Sequence, residues 1–192
     1  MTSSDMASRT EVWLVRHGTT EWSASGQHTS VTDVALTEDG LDAARSLASR
    51  LSDGAFDLVL TSPRRRAQHT AELAGFPDAE VDPDLVEWFY GDYEGVTTEE
   101  IRRSVPGWTV WTHPVPGGES AEQVAQRVDR VLRRVRGHER VLVFGHGHCL
   151  RALGSRWLDQ PVTHGRFLKL DTATVSVLGH DREFPAIVRW NA

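Results

Sequence analysis

Four short clusters in the 192-residue sequence bring together chemically reactive residue types, three of them with groups that handle oxyanions. An apolar run, Val12-Trp13-Leu14-Val15, stops at Arg16-His17-Gly18. A second, Leu58-Val59-Leu60, leads through Thr61-Ser62-Pro63 into Arg64-Arg65-Arg66. A third, Val141-Leu142-Val143-Phe144 in a strand opening at Arg140, stops at Gly145-His146-Gly147-His148. In open α/β sheets ligands bind beyond the carboxyl ends of strands, so these three strand ends are expected to converge on one place. What converges is guanidinium and imidazole. Planar guanidinium groups hold phosphate oxygens pairwise and stay charged at every physiological pH. Helices beginning just after such turns add backbone N–H donors and the positive end of a dipole. Recognition of a phosphate is the chemistry implied. The fourth cluster is the aromatic and acidic stretch of residues 82–95, in which Glu87 stands beside Trp88, Phe89 and Tyr90.

The elements that must position these residues are legible from period and capping. Thr37 caps a helix running to Leu51, whose Leu41, Ala44, Leu47, Ala48 and Leu51 recur at helical spacing. Ser62 is expected as N-cap with Pro63 at the first helical position, opening a helix that runs on over residues 64–74. Thr97 with Glu100 and Ser120 with Gln123 have capping-box spacing and predict helices over 98–104 and 121–136. Residues 82–95 lack a sustained period and read as a functional loop, and a Pro/Gly/Trp segment fills 106–118. A helix to Leu158 is expected after His146. Residues 166–170, 174–178 and 187–190 read as strands closing one side of the sheet. Strands alternating with helices make this an α/β chain.

Composition excludes several classes. With 39% hydrophobic and 25% charged residues, disorder and collagen-like structure are disfavoured. The length suits one domain, over residues 11–192 after a flexible tail at 1–10. One cysteine, Cys149, can form no internal disulfide, and it reads as a small buried residue. The polar start lacks the apolar core of a signal peptide, and no stretch approaches the roughly 20 apolar residues of a membrane span, so a cytoplasmic protein without membrane association is expected. A net charge of −6 argues against a nucleic-acid partner. Oligomeric state is open, a homodimer included. His146 and His148 at i, i+2 allow a metal reading, but no cysteine or matching carboxylate motif accompanies them; neither metal nor cofactor is expected. His148 is expected to support the site. Trp108 and Trp111 suit either a lid or the core, and Arg127, Arg130, Arg133 and Arg134 read as an exposed helix face paired with acids.

Arg16-His17-Gly18-Thr19-Thr20 resembles the Arg-His-Gly motif of the histidine phosphatase superfamily, also called phosphoglycerate-mutase-like. The resemblance extends through Ser62-Pro63-x-x-Arg66-Ala67-x-x-Thr70-Ala71, Glu87-x-x-Tyr90-Gly91-x-x-Glu94-Gly95, Gly117-Gly118-Glu119-Ser120 and Gly145-His146-Gly147. These motifs stand in the family's order and cover most of the chain. Thr20-Glu21-Trp22-Ser23, Ser25-Gly26-Gln27 and the residues around Glu87 look closest to small bacterial acid phosphatases and the sedoheptulose-bisphosphatase type. The resemblance implies a three-layer α/β/α, doubly wound, mostly parallel sheet with a small cap near residues 82–118. It also implies a metal-independent reaction: His17 as nucleophile, Arg16, Arg66 and His146 around the phosphoryl oxygens, and Glu87 as general acid and base. A dry aromatic surrounding is expected to raise the Glu87 pKa. Thr19, Ser23, Gly26, Thr29, Tyr90 and Gly147 are the further substrate contacts implied. The chain departs from the family pattern in carrying Ser23 for Asn, Arg64 for Leu and Thr19 for Glu or Gln.

A phosphatase of small phosphomonoesters, such as sugar phosphates or bisphosphates, is therefore the leading expectation. A 2,3-bisphosphoglycerate-dependent mutase would carry a longer cap, whereas only residues 88–145 separate Glu87 from His146 here. The smallest family members act on protein phosphohistidine, yet the aromatic segment favours a small-molecule pocket. A non-enzymatic phospho-ligand sensor would usually lack the nucleophile or the acid, and both are present.

Overall fold

The computed structural model describes residues 10–192; the tail expected over 1–10 lies outside the described residues except for Thr10. In chain order the elements are β1 (Glu11–Arg16), α1 (Glu21–Ser25), α2 (Glu38–Leu51), β2 (Leu58–Thr61), α3 (Arg65–Leu73), β3 (Glu80–Val81), α4 (Thr98–Ser104), α5 (Ala121–Val135), β4 (Arg140–Gly145), α6 (Gly147–Trp157), β5 (Val175–Asp181) and β6 (Phe184–Arg189). The strands form one sheet in the order β3-β2-β4-β1-β5-β6. The β3-β2, β2-β4 and β4-β1 pairs are parallel, and β5 and β6 add antiparallel to the far edge.

Alternation along the central strands explains the layers. Val12 and Leu14 of β1 and Val141 and Val143 of β4 point to one face, where Val124, Val128 and Val131 of α5 and Leu150 and Leu153 of α6 cover them. Val15, Leu142 and Phe144 point to the other, under Leu47 and Leu51 of α2 and Ala71 of α3. A sheet buried on both faces explains why β1 and β4 read as unbroken apolar runs rather than alternating ones. The outcome is the expected three-layer α/β/α arrangement.

Three local expectations are corrected, and one element was not expected. Helix α3 starts two residues later, with Arg64 as its N-cap and no side-chain cap; the Ser62 hydroxyl pairs instead with His146 Nε2 at 2.7 Å and accepts from the Arg64 amide at 3.3 Å. Residues 166–170 are not a strand: a 3-10 turn spans Val162–Phe167, since β5 already occupies the free edge of β1 and pairs on its other side with β6. The short helix α1, capped by Thr20 and Ser23, went unread. Arg127 is buried rather than exposed; it donates to Glu119 (2.9 and 3.1 Å) and to the carbonyls of Asp84 and Val86. Arg130 and Arg134 do pair with acids, at Asp84 and at Glu80 and Asp82. Trp108 and Trp111 belong to the core.

Candidate active site

His17 follows β1 directly, and its amide extends the β1-β4 ladder by donating to the Gly145 carbonyl at 3.0 Å. Its Nδ1 lies 2.8 Å from the Gly18 carbonyl. A carbonyl oxygen only accepts, so Nδ1 carries the proton and Nε2 keeps its lone pair. Burial, reinforced by the Arg66 and Arg16 charges, holds the imidazole well below the usual histidine pKa. The ring is thus a neutral base with its free nitrogen opposite the tethered one. Gly18 donates to Thr70 Oγ1 at 3.0 Å, and Thr70 donates to the Arg66 carbonyl at 2.7 Å, which ties the His17 turn to α3. Only glycine fits on either side of this turn: a Cβ on Gly18 would stand 2.5 Å from the Gly40 carbonyl oxygen, and one on Gly40 2.2 Å from that of Thr19.

Two cations and a second imidazole surround this ring. Arg16 donates Nη1 to the Leu170 carbonyl at 2.6 Å. Its guanidinium lies against the start of α6, where a Cβ on Gly147 would be 3.3 Å from Cζ. Arg66 is 1% exposed and donates to the carbonyls of Thr32, Thr29 and Ser30 at 2.9, 3.1 and 3.3 Å. Burial lowers both guanidinium pKa values and the Glu87 charge acts the other way; both groups remain cations at physiological pH. His146 closes the set, its ring centroid 5.2 Å from that of His17 and its Nε2 2.7 Å from Ser62 Oγ. Burial, then Arg66, lowers its pKa well below the usual value. Nε of Arg16, Nε of Arg66 and Nδ1 of His146 are buried without a protein partner. Unpaired buried donors are costly, and an oxyanion is the group that satisfies several at once.

Glu87 takes an unexpected place. Its Oε1 accepts from the amides of Trp88 and Cys149 at 2.9 and 2.8 Å, and Oε2 accepts from the amide of His148 at 2.9 Å. The carboxylate is therefore the N-terminal cap of α6, the position that a helix favours for negative charge. Its immediate surroundings are amides rather than the aromatic faces expected: Phe89 is exposed, and the Trp88 indole turns away to donate to the Glu119 carbonyl at 2.9 Å. Oε2 accepts from a single amide, and Oε1 from two. Tyr90 is buried with its hydroxyl 2.5 Å from His148 Nδ1. Burial pushes the Cys149 thiol up to about 11, so it is a neutral core group.

A cavity of about 220 Å³ opens over these groups. Of the residues expected from the sequence, Arg16, His17, Ser23, Gly26, Thr29, Glu87, Tyr90 and Gly147 line it, while Arg66 and His146 lie beneath the surface. Thr19 does not line it; its hydroxyl pairs with Thr172 at 2.8 Å. The Ser23 hydroxyl is engaged in capping α1. Gln27, His28, Thr98, His148 and Arg151 also line the cavity; the first three and Arg151 were not read from the sequence. His28 Nδ1 donates to the Val96 carbonyl at 2.6 Å, and its ring stacks on His148. His146 Nε2 and His148 Nδ1 are directed at Ser62 and Tyr90. Among the described residues no group of three His, Cys, Asp or Glu side chains is placed to share an ion.

The family description "Histidine phosphatase superfamily (branch 1)" matches residues 12–192. The chain belongs to the histidine phosphatase superfamily. An acid phosphatase of Mycobacterium tuberculosis is 42% identical over 88% of this chain and 85% of its own length. A sedoheptulose 1,7-bisphosphatase of Saccharomyces cerevisiae is 35% identical over 75% of this chain and 66% of its own. The solved structure of an open reading frame from Mycobacterium tuberculosis superposes with a TM-score of 0.90 at 39% identity, covering 95% of this chain and 97% of that one. No helix among the described residues of this histidine phosphatase is long and apolar enough to cross a membrane.

Proposed function

We propose that this histidine phosphatase hydrolyses small phosphomonoesters, such as sugar phosphates, through a phosphohistidine at His17. One observation carries the reading: Nδ1 is tied to the Gly18 carbonyl, which leaves the lone pair of Nε2 free among cations. Nε2 attacks phosphorus and the bond to the ester oxygen breaks, that oxygen taking a proton from Glu87 as it leaves. Water then attacks the phosphohistidine, giving its proton to the Glu87 carboxylate; the P–N bond breaks and its electron pair returns to Nε2. Splitting the displacement in two lets each half use the same cations. Arg16, Arg66 and His146 face the charge that spreads over the phosphoryl oxygens. The names of the two relatives agree with a hydrolase, and so does the short segment between Glu87 and His146, since a mutase is expected to carry a longer cap.

The test is labelling with a 32P-phosphomonoester, quenched in base to preserve a phosphohistidine. Wild-type protein is expected to retain label and His17→Ala to retain none; label that survives the substitution refutes the nucleophile. Offered 3-phosphoglycerate, the protein is expected to release inorganic phosphate, and isomerisation without release overturns hydrolysis.

A further inference from the structure

The cavity above His17 does not end at Glu87. A second cavity, of about 270 Å³, shares His28, Thr98, His148 and Arg151 with it and continues outward to Arg102 of α4 and Arg166 of the 3-10 turn. No carboxylate lines this second cavity. Arg102 donates Nε to the Trp108 carbonyl at 2.8 Å, and Arg166 lies over the Phe167 ring at 4.6 Å. Arg151, at the junction, donates Nε to the Gly165 carbonyl and Nη2 to that of Arg166, with its guanidinium 4.8 Å from the Trp111 ring centre. These contacts are to carbonyls and rings, which hold the three cations without neutralising them. Elsewhere on the molecule Arg130, Arg134, Arg140 and Arg156 are each paired with a carboxylate. Arg102 and Arg166, which have no carboxylate partner among the described residues, line one recess with Arg151, which feels the Glu87 charge; in a chain of net charge −6 they form a receptor for negative charge.

We propose that the substrate carries a second anionic group, phosphate or carboxylate, which Arg102 and Arg166 bind while its first phosphate lies at His17; Arg151 lines the passage between them. This rests on the phosphatase reading and narrows it to substrates with two anionic ends. The distal contacts are made equally in the bound substrate and in the transition state, so they lower KM and leave kcat alone. Arg102 and Arg166 are exposed, so the advantage weakens as salt rises.

The experiment compares kcat/KM for a sugar monophosphate, the matched bisphosphate and a phosphorylated sugar acid, in wild type and in an Arg102→Gln/Arg166→Gln double variant, with p-nitrophenyl phosphate as a further substrate for wild type. Wild type is expected to favour a doubly anionic substrate over the monophosphate by about tenfold or more, the scale of a charge-assisted contact. A preference for the bisphosphate alone assigns the recess to phosphate, and an equal preference for the sugar acid assigns it to anions in general; both support the proposal. The double variant is expected to lose that ratio through KM. Because a ratio within one preparation is read, partial misfolding does not mimic the effect. Equal use of all three by wild type, or a ratio untouched in the variant, overturns the second site while leaving the phosphatase reading intact. Failure of wild type to hydrolyse even p-nitrophenyl phosphate overturns the phosphatase reading, and the second site with it.

Discussion

Replacing Thr70 by valine removes one hydroxyl from a fully buried position and keeps the side-chain shape. That hydroxyl accepts from the Gly18 amide at 3.0 Å and donates to the Arg66 carbonyl at 2.7 Å. Without it the Gly18 N–H is left buried and unpaired, which costs about 1–2 kcal/mol, and the lost second bond, worth about 1 kcal/mol, brings the total to about 2–3 kcal/mol. In a chain of this size each kcal/mol moves the melting temperature by about 2–4 °C, so a fall of about 4–12 °C is expected. Function suffers separately. The turn that aims His17 is anchored to α3 by this hydroxyl, and a small displacement of a reacting atom lowers kcat by about 10- to 100-fold. Thermal unfolding and p-nitrophenyl phosphate turnover of Thr70→Val and Thr70→Ser, side by side, make the measurement; serine restores the hydroxyl and is expected to recover most of both losses. If valine matches serine in melting temperature and in kcat, the bond from Gly18 to Thr70 does not position the nucleophile.

Three further outcomes follow from the same contacts. His17, His146 and His148 are each held well below the ordinary histidine pKa, by burial first. The unfolded chain takes up these protons below about pH 6.5 before the folded one does, so stability is full above that pH and falls beneath it, by up to about 1.4 kcal/mol per pH unit for each imidazole that stays unprotonated in the fold. Urea unfolding between pH 7.5 and 5 reads the slope, His148→Gln is expected to remove about a third of it, and a flat profile contradicts the assignment. Arg127→Met withdraws a buried guanidinium from Glu119 and from the carbonyls of Asp84 and Val86, at an expected cost of about 3–5 kcal/mol in unfolding free energy; a loss under about 1 kcal/mol shows that the strap is dispensable. Glu87→Gln is expected to slow alkyl phosphates far more than aryl phosphates, whose leaving groups need no proton, and equal losses in kcat count against Glu87 as the acid.

Arg16, His17 and His146 are legible in the sequence because each closes an unbroken apolar run, and a run buried on both faces of a sheet has its chemistry at its end. Glu87 is placed by motif, but its role as the cap of α6 is not legible: that contact spans 61 residues of chain and involves only backbone donors on the helix side. Arg127 carries a signal that charge concealed, since it shares the apolar stripe of Val124, Val128 and Val131, where an arginine must be buried and paired. Arg151 lies four residues after Gly147 and so on the face of α6 that looks into the site, a spacing available from the sequence. His28 offers no such sign; its place depends on a bond to Val96, far along the chain. The strand expected over 166–170 fails because edge pairing is decided by which strand reaches β1 first in space, and local composition does not encode that.

The three strands that lead into His17, Arg66 and His146 are consecutive neighbours in the middle of the sheet, β2-β4-β1. Arg102 and Arg166 stand instead on a short helix and a 3-10 turn outside it. Descent can therefore treat the two halves of the recess differently. Insertions, deletions and exchanges at the outer half leave the register of the inner strands untouched, so a lineage can acquire a new leaving alcohol in a few steps while inheriting its phosphoryl chemistry whole. A library randomised at positions 98, 102, 109 and 166 would sample that freedom directly, with folding and the nucleophile held constant.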